Sequence, residues 1–552
     1  MNMPRRRIAA LVTLAAVTLA AVALLLTAAG AGLAVVHFGG RLGGGTSAPG
    51  KSISALAATA TASGHLIAVE NARSGTRDWM IAGGHAATVQ IQGYAGALSA
   101  SAGQRLTFYV STQVAGTPYT VDVYRIGWYG GLGGRLIATL HERGQAQGYY
   151  DWPNLQLVSC ASCTFDPATH LVEANWQPSF TLTIGATWTT GLYVAKLADA
   201  NDWQAYVSFE VRGNPHATYI VVVPDNTTAA YNDWGGYSLY HGPDGQLASR
   251  ATIVSFDRPA LGWRFGYGSG LSYEIDAIRW MERGGYDLAY VSSSDLDQDP
   301  GQLLNHRAYI SLGHDEYWSQ AMRDGVEQAR DAGVGLAFLG ANAGYWRIRY
   351  APDAQGVADR RIVCYKDLSL DPLYGKDNSQ VTGRFRDAPI SRPENALVGV
   401  MYSDYITPPA GFPWTFAPKS DELGLAQGTG LQAGASYGCN IVGYEFDHVF
   451  DDGVSPPDLQ ILATSATRTA SGGANYSNTT YYVAPSRALV FASGSIYWSY
   501  ALDTLHIWDI PSVSPDHTCL IASQGQAIPQ IQALMAHVMA ALVVRHTAAS
   551  AP

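Results

Sequence analysis

Charge is what this sequence has least of. Only 14% of its 552 residues are Asp, Glu, Lys or Arg, and 44 acids outnumber 34 Lys and Arg for a net charge of −10. With no basic patch and a pI near 5.7, nucleic acid is excluded as a partner. Cysteine is nearly as scarce, at five residues. Cys160 and Cys163 make one CxxC and no second exists, so zinc would find half a ligand set at most, and a tight disulfide suits the pair better. Cys364 and Cys439 form a candidate second pair that leaves Cys519 over, and spacing alone does not decide the connectivity. No HEXXH string occurs either, which removes the zincin helix from consideration.

Glycine and aromatic residues are abundant instead, with 59 Gly and 32 Tyr. That profile belongs to a loop-rich globular protein, and the length asks for two folded domains and a tail. Arg5, Arg6 and Arg7 precede an uncharged run from Ile8 to Phe38, roughly 30 residues and long enough to cross a bilayer with tilt. Residues 1–38 therefore read as a signal-anchor, with cleavage near Ala28–Ala31 as the competing reading. Positive-inside orientation puts the body outside the cytoplasm, either held to the cell membrane by a single pass or secreted after cleavage. Residues 39–64, rich in Gly, Ser, Thr and Pro, form a flexible linker.

Residues 65–212 break into short alternating segments such as Arg105–Val110, Tyr119–Tyr124, Ser179–Ile184 and Tyr206–Val211. Their spacing predicts an antiparallel β-sandwich of immunoglobulin-like type. Asn214-Pro215 marks a boundary, and residues 215–547 read as an α/β domain. Its first strand is Tyr219–Val223, running into the polar and aromatic stretch Asp225–Gly236. Arg307–Trp346 is the most legible stretch. The apolar run Tyr309–Leu312 leads through Gly313-His314-Asp315-Glu316 into a helix with Trp318, Met322, Val326 and Ala329 on one face. Gly333 ends that helix before the apolar strand Val334–Leu339. Such a β-α-β unit suits a parallel sheet, where ligands collect beyond the carboxyl ends of the strands. His314, Glu316 and Asn342 stand there, with Asp315 placed to cap the helix and Glu316 in its first turn. The turn Gly340-Ala341-Asn342-Ala343-Gly344 has the look of a nucleophile elbow, but Asn342 occupies the nucleophile's place and thiol chemistry is excluded. Later, Gly443–Asp447 sets Glu445 and Asp447 between apolar residues, and Ile528–Val544 is a closing amphipathic helix.

Seven strings in order, YRIGWYGG, GLYVAKL, TTAAYNDWGG, GHDEYW, FLGANAGYW, GYEFD and FASGSIYWSYAL, together resemble the large (beta) subunit of N,N-dimethylformamidase and its relatives, over about Leu66 to Leu502. The resemblance implies a β-sandwich followed by a class I glutamine-amidotransferase-like, flavodoxin-like α/β domain. It also implies a mononuclear iron, Fe3+, held by two tyrosines and a glutamate. On the matching strings Tyr193 and Tyr231 become the phenolate ligands, with Tyr237 as the alternative to Tyr231, and Glu316 the carboxylate. His314 and Asn342 become groups that orient or polarise, and Glu445 a candidate for proton transfer. Hard anionic oxygens suit a hard trivalent ion and leave a position for water. The expected function is hydrolysis of an amide or other C–N bond of a small molecule by a metal-bound hydroxide, in an exported, membrane-tethered protein. The competing reading is a non-catalytic cell-surface binding protein with a vestigial or structural site. A homo-oligomer is compatible with either.

Overall fold

Apolar runs fix the centre of the molecule. The computed structural model describes residues 64–260, 271–406, 411–505 and 527–545. The expected anchor at 1–38 and all but the last residue of the linker lie outside the described residues. Among the described residues no helix is long and apolar enough to cross a membrane. The strands Tyr219–Val223, Leu288–Ser292, Ala308–Gly313, Gly335–Gly340 and Leu489–Ala492 are buried along their whole length. They form the parallel part of a seven-stranded sheet in the order 288, 219, 308, 335, 489 (first residues). The antiparallel strands Ala474–Val483 and Gln460–Arg468 continue it at one edge.

Both faces of this sheet are covered, which is why its strands carry no polar alternation. Val221, Ile310 and Leu339 pack on one side with helix Ile275–Arg283 and helix Pro529–Leu542. Ile220, Tyr309 and Phe338 pack on the other against Met322, Val326 and Ala329 of helix Gln320–Asp331. That helix begins later than its sequence suggests. Ser319, not Asp315, is the N-cap, its hydroxyl accepting from the Met322 N–H at 3.1 Å. Tyr317–Ser319 first forms a short strand parallel to Trp346–Ala351, so Glu316 precedes a strand rather than sitting in a helical turn. Asp315 instead accepts the Ser311 hydroxyl at 2.8 Å.

Residues 91–212 form two main sheets, one of three strands and one of five, packed around a common core of Ile91, Phe108, Val121, Tyr193, Leu197 and Phe209, with two two-stranded hairpins beside them. The strand Gly191–Asp199 explains a puzzle in the sequence. Its run GLYVAKL lacks clean alternation because both of its faces are buried: Tyr193, Ala195 and Leu197 point into the sandwich, Leu192 and Val194 into the core shared with the central sheet.

The sandwich and the central sheet belong to one compact unit, Ala60–Pro552, and their seam is polar as well as apolar. Arg125 of strand Pro118–Ile126 grips Glu282 of helix Ile275–Arg283 with two parallel bonds of 2.7 and 3.0 Å, both side chains fully buried. Glu282 also accepts from Asn71 and from the Tyr290 hydroxyl. Further along the seam Trp234 donates to Gln92 at 2.8 Å and Arg360 to the Ala95 carbonyl at 2.7 Å. Arg361 pairs with Glu173 at 2.6 Å.

Cys160 and Cys163 are joined, but the expected Cys364–Cys439 pair does not form. Cys364 is a free thiol packed with Tyr317, Ile348 and Ile362, while Cys439 is disulfide-bonded.

Two outcomes follow for stability. A buried charge left without its partner costs about 3–5 kcal/mol, whereas replacing the whole pair with apolar side chains is close to neutral. Arg125→Met should therefore lower unfolding free energy by about that amount, and Arg125→Met with Glu282→Leu should recover most of it, as read by denaturant titration. The second concerns Glu210, whose carboxylate is buried without a hydrogen-bond partner near Asp225 and Asp295. Burial, then the Asp225 and Asp295 charges, push Glu210 well up, and burial pushes Asp225 up to about 8. Between the ordinary carboxylate range and about pH 8 the folded chain keeps protons that the unfolded chain has lost, so stability falls as pH rises through that window. Glu210→Gln should raise the melting temperature at pH 8 and change it little at pH 4.

Candidate active site

Three neighbouring parallel strands deliver the polar residues of the site to one end of the sheet. After Tyr219–Val223 the chain enters helix Asp225–Tyr231, which ends on Tyr231. After Ala308–Gly313 come His314, Asp315 and Glu316. After Gly335–Gly340 comes Asn342. Glycine is required where two of these strands end. A Cβ on Gly340 would collide with the Gly313 carbonyl, and Gly313 itself has φ +57° with the Glu274 carboxylate against its α-carbon. Glu445, opening the strand Glu445–His448, arrives from outside the central sheet.

Glu316 is the hub. Its side chain is buried, and the Tyr240 hydroxyl lies 2.8 Å from both carboxylate oxygens, receiving in turn the Tyr317 hydroxyl at 2.7 Å. The Tyr231 ring stacks on Tyr240 at 4.1 Å and stands 5.4 Å from the His314 ring. His314 Nε2 sits 3.2 Å from Glu316 Oε2 and 3.2 Å from Glu445 Oε2, with its N–H aimed squarely at neither, so the contact is an ion pair more than a directed hydrogen bond. The other ring nitrogen meets the Tyr444 hydroxyl at 3.2 Å. Asn342 donates from Nδ2 to Glu445 Oε2 at 2.8 Å and from its backbone N–H to Asp447 at 2.9 Å. Its Oδ1 is buried with no partner. Asn342 holds φ +58°, a left-handed conformation that aims the side chain back over the strand ends. Lys366 closes the group, its Nζ 3.2 Å above the Tyr240 ring centre and 4.6 Å from that of Trp346.

Burial and charge compete throughout this cluster. Burial alone would lower the His314 pKa, but the carboxylates of Glu445 and Glu316 outweigh it and hold it up at about 10. Burial would raise Glu316, yet the close contact and charge of His314, with Lys366 behind them, keep it below the ordinary value. Burial, then the Glu316 charge, drives the Tyr240 phenol well up, and burial brings Lys366 down to about 8 against the pull of Glu316.

Of the residues singled out from sequence, the fold brings together Tyr231, His314, Glu316, Asn342 and Glu445. It does not bring Tyr193. That ring lies in the sandwich core between Trp188 at 5.4 Å and Phe209 at 5.5 Å, and its hydroxyl donates to the Thr189 carbonyl at 2.7 Å. Tyr237, the alternative to Tyr231, stacks instead on Phe165 and His170. Tyr240, Tyr317, Tyr444 and Lys366 were missed. Tyr240 sits nine positions after Tyr231 in a loop whose many tyrosines look alike until the fold sorts them. The expectation that the chain holds neither a G-x-S-x-G nor a phosphate-loop string is wrong, since both spacings occur. Gly434–Gly438 has the G-x-S-x-G spacing, but Ser436 is exposed and opens a strand in which it pairs with Thr415, not a strand-to-helix turn. Residues 45–52, GTSAPGKS, have phosphate-loop spacing and lie outside the described residues.

Among the described residues no three His, Cys, Asp or Glu side chains are grouped to hold a metal. Any metal at this place would need phenol oxygens. Tyr240 and Glu316 already share one point in space, Tyr231 lies against Tyr240, and the orphaned Asn342 Oδ1 belongs to the same buried group. The donor chemistry therefore fits a hard trivalent ion.

Fold and site define a protein with a carboxylate, imidazole and phenol centre at the carboxyl ends of the parallel strands of a mixed sheet. Residues 120–513 match the family described as N,N-dimethylformamidase beta subunit-like, C-terminal, and the chain belongs to that family. It is 23% identical over 351 residues to the N,N-dimethylformamidase beta subunit of Alcaligenes sp, covering 53% of this chain and 45% of the relative. It is 25% identical over 298 residues to that of Paracoccus aminophilus, covering 49% and 38%. The chain thus spans less than half the length of these relatives. A solved Paenibacillus sp. cycloisomaltooligosaccharide glucanotransferase aligns with 49% of this chain and 33% of its own at 9% identity, with a TM-score of 0.14 that carries no argument.

The strained turn gives a direct check. Asn342→Ala should cost about 1 kcal/mol more unfolding free energy than Asn342→Gly, because both lose the bond to Glu445 and only alanine resists the left-handed backbone.

Proposed function

We propose that this protein is a metal-dependent hydrolase that cleaves the C–N bond of a small, non-peptide amide. The observation that carries the reading is the convergence of two phenols and one carboxylate, Tyr231, Tyr240 and Glu316, beside His314, Glu445 and Asn342. Tyr231, Tyr240 and Glu316 would hold a ferric ion, with Tyr240 in the place first given to Tyr193. Bound there, the ion supplies a Lewis acid that polarises the amide carbonyl and makes a water more acidic.

The chain's own residues do the rest. His314 fixes the Glu316 carboxylate and links it to Glu445 through Nε2. The Glu445 carboxylate, held by Asn342 Nδ2, takes the proton of the attacking water, while the His314 imidazolium gives its Nε2 proton to the departing nitrogen and is then reprotonated by Glu445. Asn342 Oδ1 accepts from the substrate N–H or from the water. Lys366 lies over the Tyr240 ring and offsets the negative charge gathered on the phenols and carboxylates. Burial of His314, Glu316, Asn342 and Glu445 takes their polar groups out of bulk water, which strengthens the charges among them. The three arginines and the uncharged run at the N-terminus support export with a membrane tether, the body lying outside the cytoplasm.

Metal analysis of purified protein tests the reading together with turnover of N,N-dimethylformamide and N-methylformamide. Near-stoichiometric iron with a visible phenolate-to-iron band is expected. Tyr240→Phe should shift or weaken that band and lower turnover at least 100-fold, and Glu316→Gln should lose the metal. Iron-free protein, or equal turnover by the wild type and Glu316→Gln, would leave a surface binding protein as the better account.

A further inference from the structure

A cleft of about 390 Å³ opens beside the site, walled by both lobes. From the central domain come Tyr231, Tyr240, Asp233 and His241. From the sandwich side come Tyr150 and Trp152, carried on the hairpin of strands Tyr149–Asp151 and Gln156–Val158. Tyr231 and Tyr240 are thus both members of the phenol and carboxylate centre and a wall of this cleft.

Size comes first. At about 30 Å³ per water, the cleft has room for roughly a dozen water volumes, and it falls in the size range of pockets for ligands well above a dimethylamide. The chemistry of the walls comes second. Tyr150 and Trp152 lie 5.6 Å apart and tilted, and Tyr231 and Tyr240 are stacked, so two pairs of aromatic faces line one space. Asp233, with His241 3.7 Å away, is the carboxylate there, and none of the described lining residues is Lys or Arg. Aromatic faces and an acid favour a flat, neutral or cationic group and disfavour an anionic one.

From this we infer that the amide taken by this chain carries an aromatic N-substituent, seated in the cleft against Trp152, while its C–N bond lies at Glu316. The inference rests on the hydrolase reading for the reaction but not for the binding. The sandwich hairpin thereby acts as the specificity element of a site whose reacting groups all come from the other lobe.

Wild type, Trp152→Ala, Trp152→Phe and Leu155→Ala are compared, the last on an exposed hairpin residue that lines the same cleft and leaves folding out of question. Turnover is measured with N-benzylformamide, N,N-dimethylformamide and 4-formamidobenzoate, and N-benzylformamide binding by calorimetry. The wild type should prefer N-benzylformamide to N,N-dimethylformamide at least 10-fold in kcat/KM and discriminate against the anionic aryl amide by a similar factor. The preference should drop at least 10-fold in Trp152→Ala, mainly through KM, drop about 3-fold in Leu155→Ala, and return to within about 3-fold in Trp152→Phe. Hydrolysis of both neutral amides with equal kcat/KM in the wild type and Leu155→Ala would overturn the cleft assignment and leave the hydrolase standing. Binding of N-benzylformamide that weakens in Leu155→Ala and Trp152→Ala, with no turnover of any amide, would support the cleft and overturn the reaction.

Discussion

The buried ion pair of Arg125 and Glu282 is the constraint on which the rest depends. Two charges taken fully out of water are tolerable only in one geometry, with two parallel bonds and the remaining acceptor capacity of Glu282 met by Asn71 and Tyr290. Because Arg125 belongs to the sandwich and Glu282 to a helix of the central domain, that geometry fixes one lobe against the other. Arg360, Arg361 and Trp234 extend the same lock along the seam. A seam held by directed bonds has a single register, which a purely apolar contact would not impose.

That rigidity matters for the site because its parts come from different places. The polar groups of the site are presented by the ends of three adjacent parallel strands, with Glu445 brought in across the Asn342 turn. The aromatic wall contributed by Tyr150 and Trp152 stands on a sandwich hairpin that has no covalent neighbour in the central domain. Slippage at the seam would leave the carboxylates and His314 in place and displace the Tyr150 and Trp152 wall of the cleft.

Inside the site, opposed electrostatics replace solvent. His314 is kept charged because two carboxylates flank it, and Glu316 is kept ionised because His314 and Lys366 face it, each against the cost of burial. Acidic Glu210 and Asp225 near the seam have no such cation and resolve the same conflict by keeping protons.

Much of this was legible in the residues. The parallel strands were, because burial on both faces demands unbroken apolar runs such as YIVVV. His314, Glu316 and Asn342 were, because a polar residue directly after such a run is carried to the strand's carboxyl end. Tyr231 and Glu445 came from the resemblance to the family, which pointed equally to Tyr193. Helix onset was not: Asp315 and Ser319 are both good caps, and only the pairing of Tyr317–Ser319 with Trp346–Ala351 selects the second. Nor was the choice among tyrosines. A phenol in an aromatic-rich chain looks the same whether it stacks in a sandwich core, as Tyr193 does, or reaches a buried carboxylate, as Tyr240 does. The sequence by itself determined which segments must be buried and which polar residues follow them, since burial and strand direction are properties of local pattern. Only the tertiary structure decided which phenols meet Glu316 and which aromatics face the cleft, because those contacts join residues whose separation along the chain carries no periodic signal.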